Sequence, residues 1–587
     1  MKSGFSARHL ADMINTMMQP EPDRTRLLQY LIEIQQRFHH VPAEAIDLLQ
    51  QRLGISHAQI ESVISFYSFL SFDKTGDYHV LFSDNITDRM AGSQNLHQRL
   101  SKALKGQAHV SIGVTSCTGL CDQGPGLLVN GHAVSRLDES RIDKIVKLIE
   151  KKKPLEEWPR SWFKVDDHIR RRDRQFSFRA GNGDSLSQAI QLGAEQTLKR
   201  LEASGLRGRG GAGFRTALKW RLCAEADGDQ HYVVCNADEG EPGTFKDRVL
   251  LNSYAHSVIE GMTICAWVTG SSQGFIYLRG EYLFLRDYLQ EVLAQRRADG
   301  LLGRSILDNK GFDFDIDIHL GAGAYICGEE SALIESLEGK RGVPRIRPPF
   351  PVVKGYKDLP TVVNNVETFW SVSRILLKGS DWFREVGTEQ STGTRLLSIS
   401  GDCEFPGIYE YPFGVSVKQV LADCGGANAQ AVQMAGAAGT TVLSPDFERR
   451  ISYEDLSTGG SFMVIGPQRN LLDMLENFAD FFRHESCGFC TPCRVGTTLI
   501  QELIRKFKQG QGSRADLLQL DAITHLMRDT SFCGLGTSAP TAFIDALQHN
   551  RELFESTITL DDSSPNFDLQ QAVSEFRQIL NEQETRG

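Results

Sequence analysis

Three cysteines spaced two residues apart constrain this chain more than any other feature. Cys487, Cys490 and Cys493 stand in the stretch ESCGFCTPCRVGT, which begins at residue 485. Three thiols on one short loop are typical of iron–sulfur ligation, in which a remote cysteine supplies the fourth ligand. Zinc ribbons use paired Cys-x2-Cys units instead. The triplet therefore predicts a fold built around an iron–sulfur centre.

A fourth cysteine in suitable surroundings lies downstream. Cys533 stands in DTSFCGLGTSAP, after a stretch, SRADLLQLDAITHLMRD, whose apolar residues have helical spacing. Gly488 and Pro492 leave backbone N–H groups of the loop free to point at sulfide, and such bonds tune a cluster's potential. We predict a [4Fe–4S] cluster on Cys487, Cys490, Cys493 and Cys533. A structural zinc site and unligated thiols are the alternatives.

Composition and the first residues of the chain exclude several classes of protein. The chain has 64 Lys and Arg against 74 Asp and Glu, a net charge of −10, so it has no broad basic surface for nucleic acid. Its 12 cysteines are scattered, and the start MKSGFSARHLADM lacks the charged and apolar regions of a leader, so we expect a reduced, cytoplasmic protein. The most apolar windows, such as HSVIEGMTICAWVTG, fall short of about 18 unbroken apolar residues. We expect no membrane insertion.

A glycine-rich stretch, LEASGLRGRGGAGFRTALKW at 201–220, is a candidate phosphate site. It contains G-x-G-x-x-G at Gly208, Gly210 and Gly213, but polar, helix-like residues precede it where an ordinary Rossmann loop follows a strand. Glycines still let backbone N–H groups approach a phosphate, and the helix that follows offers its positive end. Arg209 and Lys219 add positive charge. Taken by itself, a flexible surface turn is an equal alternative.

Two acidic turns offer acceptors for a ligand rich in hydroxyl groups. HYVVCNADEGEPGTFKDRVL, from 231, indicates a buried strand that runs into Asn236, Asp238, Glu239 and Glu241. HLGAGAYICGEESALIESLEG, from 319, places Glu329 and Glu330 after a glycine-rich loop, and LPTVVNNVETF adds Asn364 and Asn365. Ligand sites collect at the carboxyl ends of strands in open α/β sheets, and carboxylates accept hydrogen bonds from ribityl and ribose hydroxyls. A merely solvated turn is the alternative for the first stretch.

Six stretches, in this order, resemble one known family: GRGGAGF, CNADEGEPGTFKDR, RGEY, GAGAYICGEESALIESLEG, TVVNNVETF and ESCGFCTPCRVGT. They are similar to the NADH-oxidising flavin subunit of respiratory complex I and its relatives. Those relatives include the diaphorase subunit of soluble NAD-reducing hydrogenases and the flavin subunit of NAD-dependent formate dehydrogenases. The resemblance covers residues 190–570 and implies FMN on a Rossmann-like domain, with NADH stacked on its isoalloxazine.

The resemblance also implies site residues. The FMN contacts would be Gly208, Arg209, Gly210, Lys219, Asn236, Asp238, Glu239, Tyr325, Gly328, Glu329, Asn364, Asn365 and Thr368. The NAD contacts would be Phe214, Glu241, Glu330, Arg347 and Phe350, with Glu241 and Glu330 orienting nicotinamide and ribose. No residue is predicted as an acid or base, because hydride transfer is the cofactor's chemistry.

Two positions depart from the family pattern near the expected adenine pocket. Arg215 stands where the family has proline, and Leu222 stands where a second aromatic is expected. Arg215 leaves NADP open as a ligand. Glu241 would repel a 2′-phosphate, so NAD is favoured.

The N-terminal third resembles the small thioredoxin-like partner subunit of complex I, which carries a [2Fe–2S] cluster on four cysteines. Cys117 and Cys121 keep the second pair of ligands, but the expected first pair reads Ser83 and Asp88. A [2Fe–2S] centre is held by four thiolates or by two thiolates and two imidazoles, so we expect that this cluster is absent and that the domain is a scaffold. A redox-sensitive pair of Cys117 and Cys121 is a further hypothesis.

The predicted fold is a multidomain α/β protein. Its parts are a helical bundle (1–75), a thioredoxin-like domain (76–152), a linker (153–195), an FMN/NAD domain (196–390), a β-grasp insert (391–470) and a helical bundle with the cluster (471–587). The fused small domain makes the chain most similar to the flavin subunit of soluble NAD-reducing hydrogenases.

The predicted function is therefore that of a diaphorase subunit. It would exchange hydride between NAD and FMN, and single electrons between FMN and the [4Fe–4S] cluster. We expect it in a hetero-oligomer with an iron–sulfur electron-transfer subunit and hydrogenase subunits. The alternatives are the flavin subunit of a formate dehydrogenase or of a complex I-like NADH dehydrogenase, a free-standing diaphorase with its own substrate, and a non-catalytic assembly protein.

Overall fold

The structure is a computed structural model that describes residues 7–178, 183–559 and 574. It begins with the helices α1 (Ala7–Met17), α2 (Leu27–Phe38), α3 (Ala43–Leu53) and α4 (His57–Phe66). Gly54 ends α3 in the left-handed region (φ 61°), and a capping box of Ser56 and Gln59 starts α4. After α4, the Tyr67 hydroxyl lies 2.7 Å from Ser336 Oγ, and apolar residues of these helices share one core with the central part of the chain. The N-terminal helices are therefore packed onto the rest of the chain.

A four-stranded sheet with three helices follows, here called the small-sheet unit (78–150). Its elements are β1 (Tyr78–Ser83), α5 (Ile86–Met90), α6 (Ser93–Ala103), β2 (Val110–Thr115), β3 (Leu127–Val129), β4 (His132–Val134) and α7 (Glu139–Glu150). The strand order is β2-β1-β3-β4, with β1 parallel to β2 and antiparallel to β3. Trp158 and Trp162 complete its core from the segment after α7. The next strand, β5 (Ile169–Arg171), belongs to another sheet.

The centre of the chain is the parallel-sheet unit (184–384). Its helices are α8 (Asp184–Leu192), α9 (Ala194–Ser204), α10 (Thr216–Ala224), α11 (Lys246–Ser253), α12 (Ala255–Thr269), α13 (Arg286–Ala298), α14 (Glu330–Leu337), α15 (Val366–Lys378) and α16 (Ser380–Arg384). Its strands are β6 (Tyr232–Ala237), β7 (Gln273–Leu278), β8 (Asp315–Leu320) and β9 (Thr361–Asn365), all parallel, in the order β8-β7-β6-β9. A Cβ atom on Gly261 of α12 would collide with the carbonyl oxygen of Phe369, so glycine lets α12 pack closely on α15.

A mixed six-stranded sheet follows, here called the six-stranded unit (394–465). It contains β10 (Thr394–Gly401), β11 (Gly407–Pro412), α17 (Val417–Cys424), β12 (Ala431–Met434), β13 (Thr441–Leu443) and β14 (Ser461–Ile465). The order is β13-β12-β14-β10-β11-β5, so β5 joins the sheet from the segment predicted as a linker.

The chain then becomes helical, in what is here called the cysteine unit (471–555). Its helices are α18 (Leu471–Glu485), α19 (Thr491–Lys508), α20 (Arg514–Thr530), α21 (Gly534–Ser538), α22 (Thr541–His549) and α23 (Glu552–Glu555). Cys487 lies between α18 and α19, and Cys533 lies between α20 and α21. None of the helices in the described part of the chain is long and apolar enough to cross a membrane. The prediction of a mixed α/β fold with several sheets is confirmed, and the predicted domain boundaries stay a prediction.

Candidate functional site

The carboxyl ends of the parallel strands bring the predicted binding residues to one edge of the parallel-sheet unit. β6 leads into Asp238 and Glu239, β8 leads into the glycine-rich loop 321–328, and β9 ends at Asn365. This edge is where open α/β sheets bind ligands. The loop 208–213 reaches the same edge, since a Cβ atom on Gly210 would lie 3.4 Å from the Cβ atom of Asn365. The glycines therefore stand where two backbones approach a shared space.

Hydrogen bonds fix several predicted FMN contacts at this edge. The backbone N–H of Arg209 donates to Thr368 Oγ1 at 2.9 Å, and Asn236 Nδ2 donates to the carbonyl oxygen of Gly328 at 2.8 Å. On α10, Lys219 Nζ donates to Glu330 Oε2 at 2.8 Å. The neighbouring Trp220 donates from its indole nitrogen to Asn364 Oδ1 at 2.8 Å. These bonds link α10 to β9 and α14, and the two glycine-rich loops to α15 and β6, around the site.

Some polar atoms at the edge have no partner among the described residues. Asp238 Oδ2 and Arg209 Nε are buried without a hydrogen bond, and burial raises the pKa of Asp238 well above its usual value. Buried polar atoms rarely stay unpaired in native proteins. Unpaired groups beside close-approach glycines fit a ligand rich in hydroxyl and phosphate oxygens, which is the chemistry of FMN.

The carboxylate of Glu239 is hydrogen-bonded within the protein. Its carboxylate accepts hydrogen bonds from the backbone N–H groups of Asp247 at 2.8 Å and Arg248 at 3.1 Å, and from the Tyr282 hydroxyl at 2.9 Å. Burial raises the pKa of Glu239 to about 7. The side chain therefore anchors the loop after β6 to α11.

A buried charge network behind Asn365 was missed in the sequence. Lys246 Nζ lies 3.1 Å from both Asn365 Oδ1 and Glu367 Oε2, and Arg395 lies 3.5 Å from Glu367. Burial acts to raise the pKa of Glu367, but Arg395, Lys246 and Arg209 outweigh it and lower the pKa. Arg395 is 1% exposed, and its three guanidinium nitrogens have no hydrogen-bond partner among the described residues. Buried cations with unused donors suit a phosphate.

The predicted NAD residues combine two exposed aromatic rings with charged side chains. Phe214 is 48% exposed and Phe350 is 52% exposed, so both rings are free to stack on a planar group. Arg347 lies 3.4 Å from Glu330. Glu241 accepts from the Tyr325 hydroxyl at 2.5 Å and from the backbone N–H of Ala438 at 3.1 Å. Burial raises the pKa of Glu241 to about 7.

Glu329 also lies at this edge, and Arg215 and Leu222 are the two positions that differ from the family pattern. Glu329 is the N-cap of α14, where it accepts hydrogen bonds from the backbone N–H groups of Ser331 and Ala332, both at 3.0 Å. Arg347 lies 3.2 Å from Glu329, so it bridges both carboxylates of the acidic pair. The side chains of Arg215 and Leu222 are exposed.

The four predicted cluster cysteines lie close together, beside the carboxyl edge of the parallel sheet. Cys490, Cys493 and Cys533 are buried and Cys487 is partly buried. Burial raises the pKa of Cys493 to about 12, and the other three cysteines add to the rise. A Cβ atom on Gly536 would lie 3.1 Å from the Cβ atom of Cys493, so α21, which directly follows Cys533, packs against the triplet.

This donor set fits a four-iron cluster. Among the described residues no three His, Cys, Asp or Glu side chains converge on a single metal ion. A [4Fe–4S] cluster needs no such convergence, because each of its thiolates binds a different iron. Four thiols from two adjoining loops are the ligands that such a cluster takes.

Glu485, the last residue of α18, joins the cysteine unit to both neighbouring units. Its Oε2 accepts from the backbone N–H of Tyr325 at 2.9 Å, and its Oε1 accepts from Ser116 Oγ at 2.5 Å. The ring of Tyr325 also meets that of Phe481 at 4.9 Å between centroids. Sequence reasoning missed Glu485, although it directly precedes the cysteine motif.

In the small-sheet unit, the amide of Asn85 fills the place between the four positions that hold a cluster in the resembling family. Asn85 Nδ2 lies 2.7 Å from Asp88 Oδ2, 3.1 Å from Ser83 Oγ, 3.1 Å from Cys117 Sγ and 3.6 Å from Cys121 Sγ. Burial raises the pKa of Asp88 to about 7. Two thiols, a carboxyl and a hydroxyl around an amide do not fit a [2Fe–2S] cluster.

Three family models match the chain in the order of these sites. They describe a thioredoxin-like [2Fe–2S] ferredoxin over residues 12–150, the Nuo51 FMN-binding domain over 201–374, and the NADH-ubiquinone oxidoreductase-F iron–sulfur binding region over 473–557. The fold and the site thus define a protein with a flavin-binding α/β domain followed by an iron–sulfur region.

Individual proteins resemble the whole chain. The alpha subunit of the NAD-reducing hydrogenase HoxS of Cupriavidus necator is 41% identical, over 96% of this chain and 97% of the relative. A crystal structure of an NAD+-reducing [NiFe]-hydrogenase in the H2-reduced state superimposes with a TM-score of 0.88 and 37% identity, over 95% of this chain and 97% of that one. One subunit of the NADH-quinone oxidoreductase of Streptomyces coelicolor is 42% identical, over 64% of this chain and 86% of the relative. The chain belongs to the family of the NAD-reducing hydrogenase alpha subunit.

Proposed function

We propose that the chain is the diaphorase subunit of a hydrogen:NAD+ oxidoreductase. It exchanges hydride between NAD and FMN, and single electrons between FMN and a [4Fe–4S] cluster. One observation carries this proposal: Tyr325 lies within the glycine-rich loop of the binding edge, and its backbone N–H donates to Glu485, two residues before Cys487. A hydride-accepting site and an electron exit therefore adjoin one another.

The residues at the sheet edge hold the flavin in this proposal. When bound, FMN supplies the conversion between two-electron and one-electron chemistry. The FMN contacts are those predicted, namely Gly208, Arg209, Gly210, Lys219, Asn236, Asp238, Glu239, Tyr325, Gly328, Glu329, Asn364, Asn365 and Thr368. The unpaired Asp238 oxygen is the acceptor for a hydroxyl, and Arg209, Lys246 and Arg395 offset the charge of the phosphate.

The exposed aromatic residues hold NAD in the same proposal. Phe214 and Phe350 stack on adenine, and Arg347 pairs with an acidic or hydroxyl-bearing part of the dinucleotide. Glu330 and Glu241 accept hydrogen bonds from ribose, and Glu241 disfavours a 2′-phosphate by charge repulsion. We infer NAD rather than NADP for this reason.

The cysteine unit hands electrons to a partner. Phe489 and Phe532 flank Cys490 and Cys533, are 52% and 61% exposed, and lie 5.8 Å apart between ring centroids. Exposed aromatic rings are enriched where proteins dock. We propose that an iron–sulfur electron-transfer subunit covers this patch and that hydrogenase subunits complete the hetero-oligomer, in the cytoplasm.

The proposal also covers the identity of the domains and the role of the small-sheet unit. The parallel-sheet unit is Rossmann-like and the six-stranded unit is a β-grasp insert, with the domain boundaries predicted from the sequence. The small-sheet unit keeps a scaffold role without a [2Fe–2S] cluster, because Asn85 occupies the space between Ser83, Asp88, Cys117 and Cys121.

The experiment that tests these cofactor assignments is a count of iron and flavin in the isolated chain. The chain is purified anaerobically, the flavin is released by denaturation and identified, and iron is measured on the same sample. About four irons per FMN agrees with one [4Fe–4S] cluster and no second centre. About six irons per FMN would contradict the loss of the [2Fe–2S] cluster, and a colourless protein would contradict the proposed function itself.

A further inference from the structure

We propose that Cys117 and Cys121 form a dithiol–disulfide redox site whose state is transmitted to the flavin-binding edge through Arg279 and Arg248. The site lies in the small-sheet unit, at the loop between β2 and β3. It is distinct from the FMN and [4Fe–4S] chemistry of the proposed function.

The two sulfur atoms are placed for bond formation. Cys117 Sγ and Cys121 Sγ lie 3.6 Å apart, and both side chains are buried. A disulfide has an S–S distance of about 2.05 Å, so the sulfurs must approach by only about 1.5 Å. Hydrogen bonds hold Cys117 Sγ in this loop, because Asn85 Nδ2 donates to it at 3.1 Å and the backbone N–H of Gly119 donates to it at 3.4 Å.

Hydrogen bonds single out Cys117 as the attacking cysteine. Asn85 Nδ2 lies 3.1 Å from Cys117 Sγ but 3.6 Å from Cys121 Sγ, and the backbone N–H of Gly119 donates to Cys117 Sγ at 3.4 Å. Hydrogen bonds to the charged form of a group stabilise that form, and the thiolate is the form of cysteine that attacks an oxidant. The geometry therefore assigns the attack to Cys117.

The oxidant in this proposal is hydrogen peroxide, which is small enough to suit a site in which Cys117 is 0% and Cys121 8% exposed. The Cys117 thiolate attacks one peroxide oxygen, which forms an S–O bond, breaks the O–O bond and releases hydroxide. The Cys121 sulfur then attacks Cys117 Sγ, which forms the S–S bond and breaks the S–O bond. The Cys121 proton leaves with the departing oxygen as water. Two thiols lose two electrons, and the peroxide is reduced.

Two arginines connect this loop to the flavin-binding edge. Arg279 donates to the carbonyl oxygen of Cys117 at 2.6 Å and to that of Glu239 at 2.5 Å. Arg248 donates from its side chain to the carbonyl oxygen of Gly119 at 2.9 Å and from its backbone to the Glu239 carboxylate at 3.1 Å. Closing the disulfide moves the carbonyls that both arginines hold. Oxidation therefore displaces Glu239 and slows NADH oxidation at the flavin.

The experiment treats the isolated complex anaerobically with graded hydrogen peroxide, quenches it in acid, alkylates free thiols and digests the chain. Mass spectrometry then reads the peptide that carries both cysteines. NADH oxidation by an artificial acceptor is measured on parallel samples. We expect the peptide to lose two hydrogen atoms, to escape alkylation, and to recover with dithiothreitol together with the lost activity.

Cysteine variants distinguish oxidation at this site from oxidative damage elsewhere in the complex. Cys117→Ser and Cys121→Ser should abolish the reversible loss of activity, whereas Cys223→Ser should keep it. A wild-type peptide that stays alkylated, or that gains oxygen irreversibly, would overturn the redox site, and this readout needs no variant to fold. A reversible disulfide with unchanged NADH oxidation would overturn the transmission to Glu239. Each of these results leaves the FMN and iron counts, and so the proposed function, untouched.

Discussion

Replacing Asp122 by Asn should loosen the contact between the small-sheet unit and the parallel-sheet unit by about 3–5 kcal/mol. The side chains of Asp122 and Arg248 are both 0% exposed, and two N–O distances of 3.1 Å join them. Asn keeps the shape of Asp but leaves the charge of Arg248 buried without its counterion, and this is the source of the cost.

The pH dependence of this contact has a definite sign. Burial acts to raise the pKa of Asp122, but Arg248 and His168 outweigh it and hold the pKa at about 2. Because the folded pKa lies below the unfolded one, the pair contributes its full stability above the usual pKa of 3.8 and loses it as pH falls towards 2. The substitution therefore removes the full stability contribution of the pair at neutral pH.

Asp143→Asn is a matched control in the same unit. Arg99 holds Asp143 by the same two-bond geometry, at 2.8 and 3.0 Å, but these side chains are 43% and 48% exposed. Such exposed pairs contribute about 0–1 kcal/mol.

Native-state hydrogen exchange of the amides at 117–126 measures the difference. One decade of exchange rate corresponds to about 1.36 kcal/mol, so Asp122→Asn should speed local exchange by about two to nearly four decades, and Asp143→Asn by less than one. Equal rates in the two variants would refute the reasoning.

Three further predictions concern the sites. Cys490→Ser should keep the bleaching of the flavin by NADH and lose the cluster's paramagnetic resonance signal on reduction; a retained signal would exclude this cysteine as a ligand. Arg395→Met should lower the flavin-to-protein ratio after gel filtration, because it removes a buried cation at the proposed phosphate site. Arg384→Met, at an exposed position of α16, should leave the ratio unchanged, and equal ratios would count against the phosphate role. Glu241, with its pKa of about 7, loses its negative charge as pH falls, so the KM for NADH should rise between about pH 8 and pH 6. Glu241→Gln should flatten that profile, and a wild-type KM independent of pH would argue against ribose binding by Glu241.

Residues in contiguous motifs could be found from the sequence. The spacing of the cysteine triplet predicts a cluster, and the stretch lies in the part of the chain that matches an iron–sulfur binding region. The strand before Asp238 places that carboxylate at a sheet edge. The mixed α/β class followed from the same patterns, and it is confirmed.

Residues whose role comes from distant neighbours could not be found in this way. Arg395 lies in an ordinary strand, and only the packing of β10 on α15 brings it to Glu367. Asn85 looks like a turn residue until the fold places its amide between Cys117 and Asp88. The strand β5 is three residues long and pairs with β11, more than 200 residues away, so no local pattern predicts it.

The central claim is that this chain passes electrons between NAD and a hydrogenase. The most direct test incubates the anaerobically isolated complex with NAD+ under hydrogen and follows the absorbance of NADH. We expect hydrogen-dependent NADH formation, which disappears in the complex with Cys490→Ser. A complex that oxidises NADH with an artificial acceptor but forms no NADH under hydrogen would contradict it.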